Sequence, residues 1–344
     1  MRPAELRLDG MRTLTDETGM FQHTKFSTVD RKEGYTTDDN ARALIAALRH
    51  HDLYGDPDAL GLADTYLTFL LHTQMSDGRF HNLLGFDRRF QDDLGSEDCM
   101  GRALWACGYA MSSNAPEDMK RLAKEVFDRG LPPSLGFASP RARAFTILGL
   151  NRYRSALPED RNILDNMIVL AEGLMTQYRS EASRDWRWFE PYLTYSNPRL
   201  PQALFAAHES TGRPPYLHVA RSSLDFLIEV QIVGGMFIPI GNRGWLEKGG
   251  VKALYDQQPI EASCMVEAAS TALRSTGEAR YGEAALKAFE WYHGRNTQGV
   301  ALYNEDAGTS YDGITPEGLN RNQGAEATLS YYLAFLKLRE EGLT

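Results

Sequence analysis

Apolar residues along this chain recur in two alternating styles. In residues 60–74, 117–129, 161–178, 216–231 and 278–294 they fall at three-to-four spacing among Glu, Arg, Asp and Lys. Within 161–178, for example, Ile163, Leu164, Met167, Ile168, Leu170, Ala171 and Leu174 form one wide stripe. That pattern predicts helices with one solvated face. The second style is apolar nearly all round and rich in small residues, as in Ala41-Arg42-Ala43-Leu44-Ile45-Ala46-Ala47-Leu48 and Gly101-Arg102-Ala103-Leu104-Trp105-Ala106-Cys107-Gly108. Such helices are buried on every side, and their small residues let neighbours approach closely.

The two styles alternate as a repeat. Segments of the second kind begin near Ala41, Gly101, Ala142, Gln202, Ala262 and Ala325, at separations of roughly 60, 40, 60, 60 and 63 residues. A glycine-aromatic signature precedes them: Gly19-Met20-Phe21, Gly78-Arg79-Phe80, Gly136-Phe137, Gly235-Met236-Phe237, and Gly299-Val300 leading to Tyr303. Trp186-Arg187-Trp188-Phe189 fills the remaining gap. Six buried and six half-exposed helices are accommodated by an inner ring within an outer ring, with residues 3–14 as the sixth outer helix against an inner helix at 324–339. The expected fold is an all-α (α/α)6 toroid of six helical hairpins, one domain over residues 1–344, with short extended returns at the signatures. One longer strand is expected at 237–241. An open helical solenoid is the rival, but its end repeats would need polar faces that the C-terminal Ala-Leu-Tyr-rich helix lacks.

Composition narrows the function. The chain has 344 residues with net charge −9, so neither a dedicated phosphate-backbone binder nor a nucleic-acid partner is expected. No apolar run reaches the roughly 18 residues of a membrane span, and the N-terminal stretch lacks a signal peptide's apolar core. Cys99, Cys107 and Cys264 are too few and scattered for disulfides or a structural zinc site, and a reducing, cytoplasmic setting is expected. Oligomeric state is not legible.

Parallel inner helices would gather their starts at one mouth of the ring. The junctions there read Tyr35 to Asn40, Ser96-Glu97-Asp98, Ser139-Pro140-Arg141, Glu190-Pro191-Tyr192, Gln258-Pro259-Ile260-Glu261, and Asp312 through Asn322-Gln323 to Glu326. Helix capping accounts for single Ser, Asp or Asn residues, and proline at the first helical position accounts for Pro140, Pro198 and Pro259. It does not account for the adjacent acids Asp38-Asp39 and Glu97-Asp98, nor for aromatics such as Trp188, Trp245 and Tyr311 in the adjoining loops. Carboxylates, amides and aromatic rings suit a sugar, whose hydroxyls need polar partners and whose ring faces stack. Glycosyl transfer also needs two carboxyl groups in different protonation states.

These features, and the runs Gly34-Tyr35-Thr36-Thr37-Asp38-Asp39-Asn40-Ala41-Arg42-Ala43-Leu44 and Ser96-Glu97-Asp98-Cys99-Met100-Gly101-Arg102-Ala103-Leu104-Trp105, resemble the bacterial (α/α)6 six-hairpin glycosidase-like proteins. The resemblance covers nearly the whole chain. It implies a carbohydrate site at the inner-helix starts, in a group that includes hydrolases, phosphorylases, lyases and sugar epimerases. The expected activity is glycoside hydrolysis of an oligosaccharide, with inversion implied by the resemblance. Asp38, Asp39, Glu97 and Asp98 are the candidate catalytic acids. His23, Tyr35, His81, Arg141, Trp188, Glu190, Tyr192, Gln258, Glu261, Asp312, Asn322, Gln323 and Glu326 are candidate binding residues. The alternatives are a sugar epimerase or isomerase using His23 or His81, and a non-catalytic glycan-binding domain. No cofactor is expected. The acidic stretch 304–312 does not have calcium-loop spacing, so no metal is expected either.

Overall fold

The computed structural model describes residues 6–344. Its helices are α1 (Asp9–Thr13), α2 (Thr37–Tyr54), α3 (Pro57–Thr73), α4 (Glu97–Ser112), α5 (Glu117–Ser134), α6 (Pro140–Ala156), α7 (Arg161–Glu181), α8 (Arg199–Thr211), α9 (Pro214–Gln231), α10 (Pro259–Thr276), α11 (Ala279–Glu290) and α12 (Ala325–Glu340). From α2 onward the even-numbered helices pack side by side in order, and α12 returns to pack on α2. That closure makes the architecture an all-α (α/α)6 toroid and excludes an open solenoid. The odd-numbered helices lie outside, each against the inner helix that precedes it.

Burial follows the two sequence styles. From Ala41 to Leu48 every residue of α2 is buried, and α10 is buried without interruption from Pro259 to Ala272. In α7 only Ile163, Met167, Leu170, Ala171, Leu174 and Met175 are buried, one stripe of a long helix. Each fully buried Leu or Ile contributes about 1.5–3 kcal/mol, so the inner ring carries much of the folding free energy. Small residues set its spacing. A Cβ on Gly149 of α6 would lie 2.6 Å from the Leu104 carbonyl oxygen, and one on Gly108 of α4 would lie 2.3 Å from that of Gly149.

The connections are unequal, and this inequality positions the site. Inner helices pass to outer ones through two to four residues, whereas the returns at 74–96, 182–198, 232–258 and 291–324 are long. All the long returns lie at the mouth where the inner helices begin. They carry small antiparallel ladders, pairing Tyr35–Thr36 with Leu83–Leu84, Tyr192–Leu193 with Leu246–Glu247, and Gly313–Thr315 with Gly318–Asn320.

Three expectations about local structure need correction. The strand expected at 237–241 stops at Phe237, which pairs with Ile232 in a short hairpin. Pro239 has no N–H for a longer ladder, and Gly241 turns to donate to the Ala253 carbonyl, 2.8 Å away. The Gly136 and Trp186 signatures form no strand. Of the helix expected at 3–14, residues 3–5 lie outside the described residues and the rest yields only the short α1. Gly10 is pressed so closely on the Gly308 carbonyl that a Cβ would lie 1.9 Å from its oxygen. This contact, together with the low helix propensity of glycine, favours a brief turn over a full outer helix.

Candidate active site

At the starts of α2, α4 and α6 the caps are hydroxyls, not acids. Thr36, Ser96 and Ser139 accept from the backbone N–H groups of Asp39, Cys99 and Ala142 at the starts of α2, α4 and α6. The carboxylates in the first turns are thereby released from capping and reach across the ring instead. Arg102 of α4 donates to Asp38 of α2 at 2.9 Å. Arg42 of α2 donates to Asp39 at 2.7 Å and to Glu326 of α12 at 2.9 Å, across the seam where the ring closes.

A cavity of about 370 Å³ opens there, with His23, Asp38, Asp39, Gln258, Asp312 and Glu326 in its wall. Arg42, Asn82, Thr36 and Asn320 also line it. The volume lies within the range of small-molecule sites. Both oxygens of Asp39 are taken, one by Arg42 and one by the Thr36 hydroxyl at 2.7 Å. Asp38, Asp312 and Glu326 differ: each engages protein donors through one oxygen only, and the other accepts from no described residue. Burial raises the Asp39 pKa against the opposing pull of Arg42. Burial also raises that of Asp312, opposed by the Gly324 N–H that donates to it at 2.8 Å and by the nearby His23.

Glu97 and Asp98 are directed away from this cavity. The Ala138 and Ser139 N–H groups donate to Glu97 Oε2 at 2.9 and 2.7 Å, which binds α4 to the start of α6. Asp98 accepts from Ser139 Oγ at 2.6 Å and from the Tyr195 hydroxyl at 2.7 Å. Beside them a second hollow of about 700 Å³ has Arg141, Glu190, Tyr192 and Tyr195 in its wall. Arg141 donates to Glu190 at 2.8 Å and to the Tyr195 carbonyl at 2.6 Å. Burial raises the Glu190 pKa against the opposing charge of Arg141. Asn197 then links Arg141 to Glu261, donating to the latter at 3.2 Å. Glu261 is fully buried and burial pushes its pKa up to about 7.

The remaining candidates divide. Tyr35 is fully buried and donates to Asp16 at 2.6 Å, and Trp188 lies in the core at 0% exposure, so neither walls the cavity. His81 is held outside it, with Nδ1 2.8 Å from the Asp92 carbonyl and its ring stacked 4.0 Å from that of Phe90. Asn322 accepts from the Phe26 N–H at 2.9 Å, and Gln323 is buried and accepts from Asn304 and Thr309. The sequence reading missed Arg42, Arg102, Asn82 and Tyr195. A signal for two of them was present: Arg42-Ala43-Leu44 and Arg102-Ala103-Leu104 repeat one run at the same place in neighbouring inner helices. Among the described residues, no three His, Cys, Asp or Glu side chains are grouped to hold a metal ion, and no helix is long and apolar enough to cross a membrane.

No protein-family model matches the chain, and neither does any curated protein. Solved structures do match over nearly the full length. A D-mannose isomerase is similar with a TM-score of 0.72 at 14% identity, covering 96% of each chain. The cellobiose 2-epimerase from Bacillus thermoamylovorans B4167 gives 0.75 at 10% identity, covering 99% of this chain and 96% of its own. An inactive variant of the α-1,6-mannanase from Salegentibacter sp. HEL1_6, with two consecutive aspartates changed to alanine and an α-1,6-linked mannotetraose bound, gives 0.69 at 12% identity and covers 99% and 98%. The chain therefore has the six-hairpin glycosidase-like fold.

Proposed function

We propose that the protein is a carbohydrate-active enzyme, a glycoside hydrolase that cleaves an oligosaccharide in the cavity at the inner-helix starts. The observation that carries this reading is the pairing of carboxyl groups in unlike environments around one cavity. Asp38 is ion-paired with Arg102, whereas Asp312 is desolvated and its pKa is raised. Unlike environments are what separate an acid from a base in glycosyl transfer. In this reading Asp312 protonates the leaving oxygen and Asp38 activates a water on the opposite face of the sugar, which inverts the anomeric centre. Asp39 and Arg42 position the site, because both Asp39 oxygens are held, by Arg42 and Thr36, and Arg42 is ion-paired with Asp39 and Glu326. The mannanase of the same fold supports the reading, since it is inactive without two consecutive aspartates and Asp38-Asp39 is such a pair.

One observation favours a second reading. His23 lines the cavity near Asp312, and a histidine there suits proton removal next to a sugar carbonyl, as isomerisation or epimerisation requires. The two readings separate in one experiment. The protein is incubated in D2O with α- and β-linked disaccharides and with free aldoses, with and without phosphate, and followed by proton NMR. Hydrolysis predicts new reducing-end signals of the inverted anomer and no exchange at carbon 2. Deuterium at carbon 2 of an aldose with no bond cleaved would replace the hydrolase reading with the second one, and sugar phosphates would make the enzyme a phosphorylase.

A further inference from the structure

The ring has another mouth, where the inner helices end, and it holds a cavity of about 440 Å³. In a chain of net charge −9, this wall gathers Arg49, Arg152, Arg154, Arg274 and Lys337 against only two acids, Glu209 and Glu267. Part of that excess has a structural cause, because helix C-termini attract cations. Arg49 is ion-paired with Glu267 and Glu340, Arg274 with Glu209 and Glu341, and Lys337 with Glu340 and Glu341.

Arg152 and Arg154 of α6 are different. Both are half-buried, and neither guanidinium has an ion pair or hydrogen bond with any described residue. The Arg152 guanidinium lies over the Tyr109 ring, 4.6 Å from its centroid. Stacking uses the face of the guanidinium and leaves its in-plane N–H donors available. Asp52 and Glu340 feel its charge without reaching ion-pair distance. Ser210 accepts from Asn151 at 3.0 Å and keeps its own hydroxyl proton as a donor into the same wall. Two guanidiniums with unused donors in the wall of one cavity supply the kind of donor set that an anion requires. Their donors exceed what the two oxygens of a carboxylate can accept, whereas the three terminal oxygens of a phosphate group match them.

We infer that this second mouth binds the phosphate group of a small molecule, with Arg152 and Arg154 as its principal ligands. The site lies apart from the carboxylate cavity and does not depend on the reaction proposed there.

Titration calorimetry of the full chain tests it, with inorganic phosphate and glucose 6-phosphate as probes and with wild type, Arg152→Gln/Arg154→Gln and Asp38→Asn as proteins. Saturable binding of at least one probe is expected in wild type and in Asp38→Asn, weakened by about tenfold or more in the double variant. The tighter probe shows whether free phosphate or a phosphate ester is preferred. Absence of saturable binding of both probes to wild type would overturn the inference, as would equal affinity in the double variant or loss in Asp38→Asn. Thermal melting checks that the double variant is folded. If it is not, Arg152→Lys/Arg154→Lys, which keeps the charge but loses the fork, is expected to bind more weakly than wild type, and unchanged affinity there overturns the inference.

Discussion

Glu261 and Glu267 lie six residues apart on α10, both fully buried, and their surroundings drive them in opposite directions. Glu267 is paired with Arg49 at 2.9 Å and with Arg199, and these two guanidiniums overcome the desolvation that opposes ionisation and lower its pKa to about 2. Glu261 has an amide partner, Asn197, and burial dominates. The two signs give opposite pH dependences. Glu267, depressed from its ordinary 4.5 to about 2, contributes about 3 kcal/mol that is present above pH 4.5 and lost as pH falls through 2. Denaturant titration of Glu267→Gln at pH 7 is expected to show a loss of about 3–5 kcal/mol, from the charges left unpaired. Glu261, raised from 4.5 to about 7, contributes stability below pH 4.5 that is lost as pH rises through 7. Glu261→Gln should therefore match wild type near pH 4 and exceed it by up to about 3 kcal/mol at pH 8. A variant less stable than wild type at pH 8 would show that its partners stabilise the Glu261 carboxylate and that burial does not raise its pKa.

Among the elements, the contrast between inner and outer helices was legible because burial on every side and burial on one side leave different sequence patterns. Five of the six inner-helix starts were legible too, since Ser, Thr or Pro marks them. What the carboxylates do was not legible, because their partners are remote in sequence. Arg42 meets Glu326 284 residues away, and Asp98 meets Tyr195 97 residues away. No local pattern distinguishes Asp38, which keeps a free oxygen, from Asp39 beside it, which has none. The shortness of α1 was hidden for the same reason in part, since the contact with Gly308 adds to the low helix propensity of its own Gly10. Gly149→Ala places a methyl 2.6 Å from the Leu104 carbonyl oxygen and should cost about 1–3 kcal/mol. Gly61→Ala, on exposed outer α3 with nothing within 4 Å, should instead stabilise by about 0.5–1 kcal/mol. Thermal melting of both against wild type decides, and equal effects would contradict the close approach of α4 and α6.

Across the whole molecule, the inner-helix starts are tied into a polar belt. Glu326 and Arg42 close the seam, Asp38 and Arg102 join α2 to α4, Asp98 and Ser139 join α4 to α6, and Asn197 and Glu261 continue towards α10. The cavity opens where this belt leaves carboxylate oxygens unused, while deeper in the ring Arg49, Glu267 and Arg199 form a buried ionic cluster. Asp38 and Asp312, rather than the other acids of the mouth, are proposed to carry the reaction. The most direct measurement is kcat, with its pH dependence, for Asp38→Asn, Asp312→Asn and Glu97→Gln on the oligosaccharide that wild type cleaves. The first two are each expected to fall by about 10²–10⁴-fold with unchanged melting, while Glu97→Gln stays within about threefold. Wild-type turnover in Asp38→Asn or Asp312→Asn, or an equal loss in Glu97→Gln, would contradict this proposal.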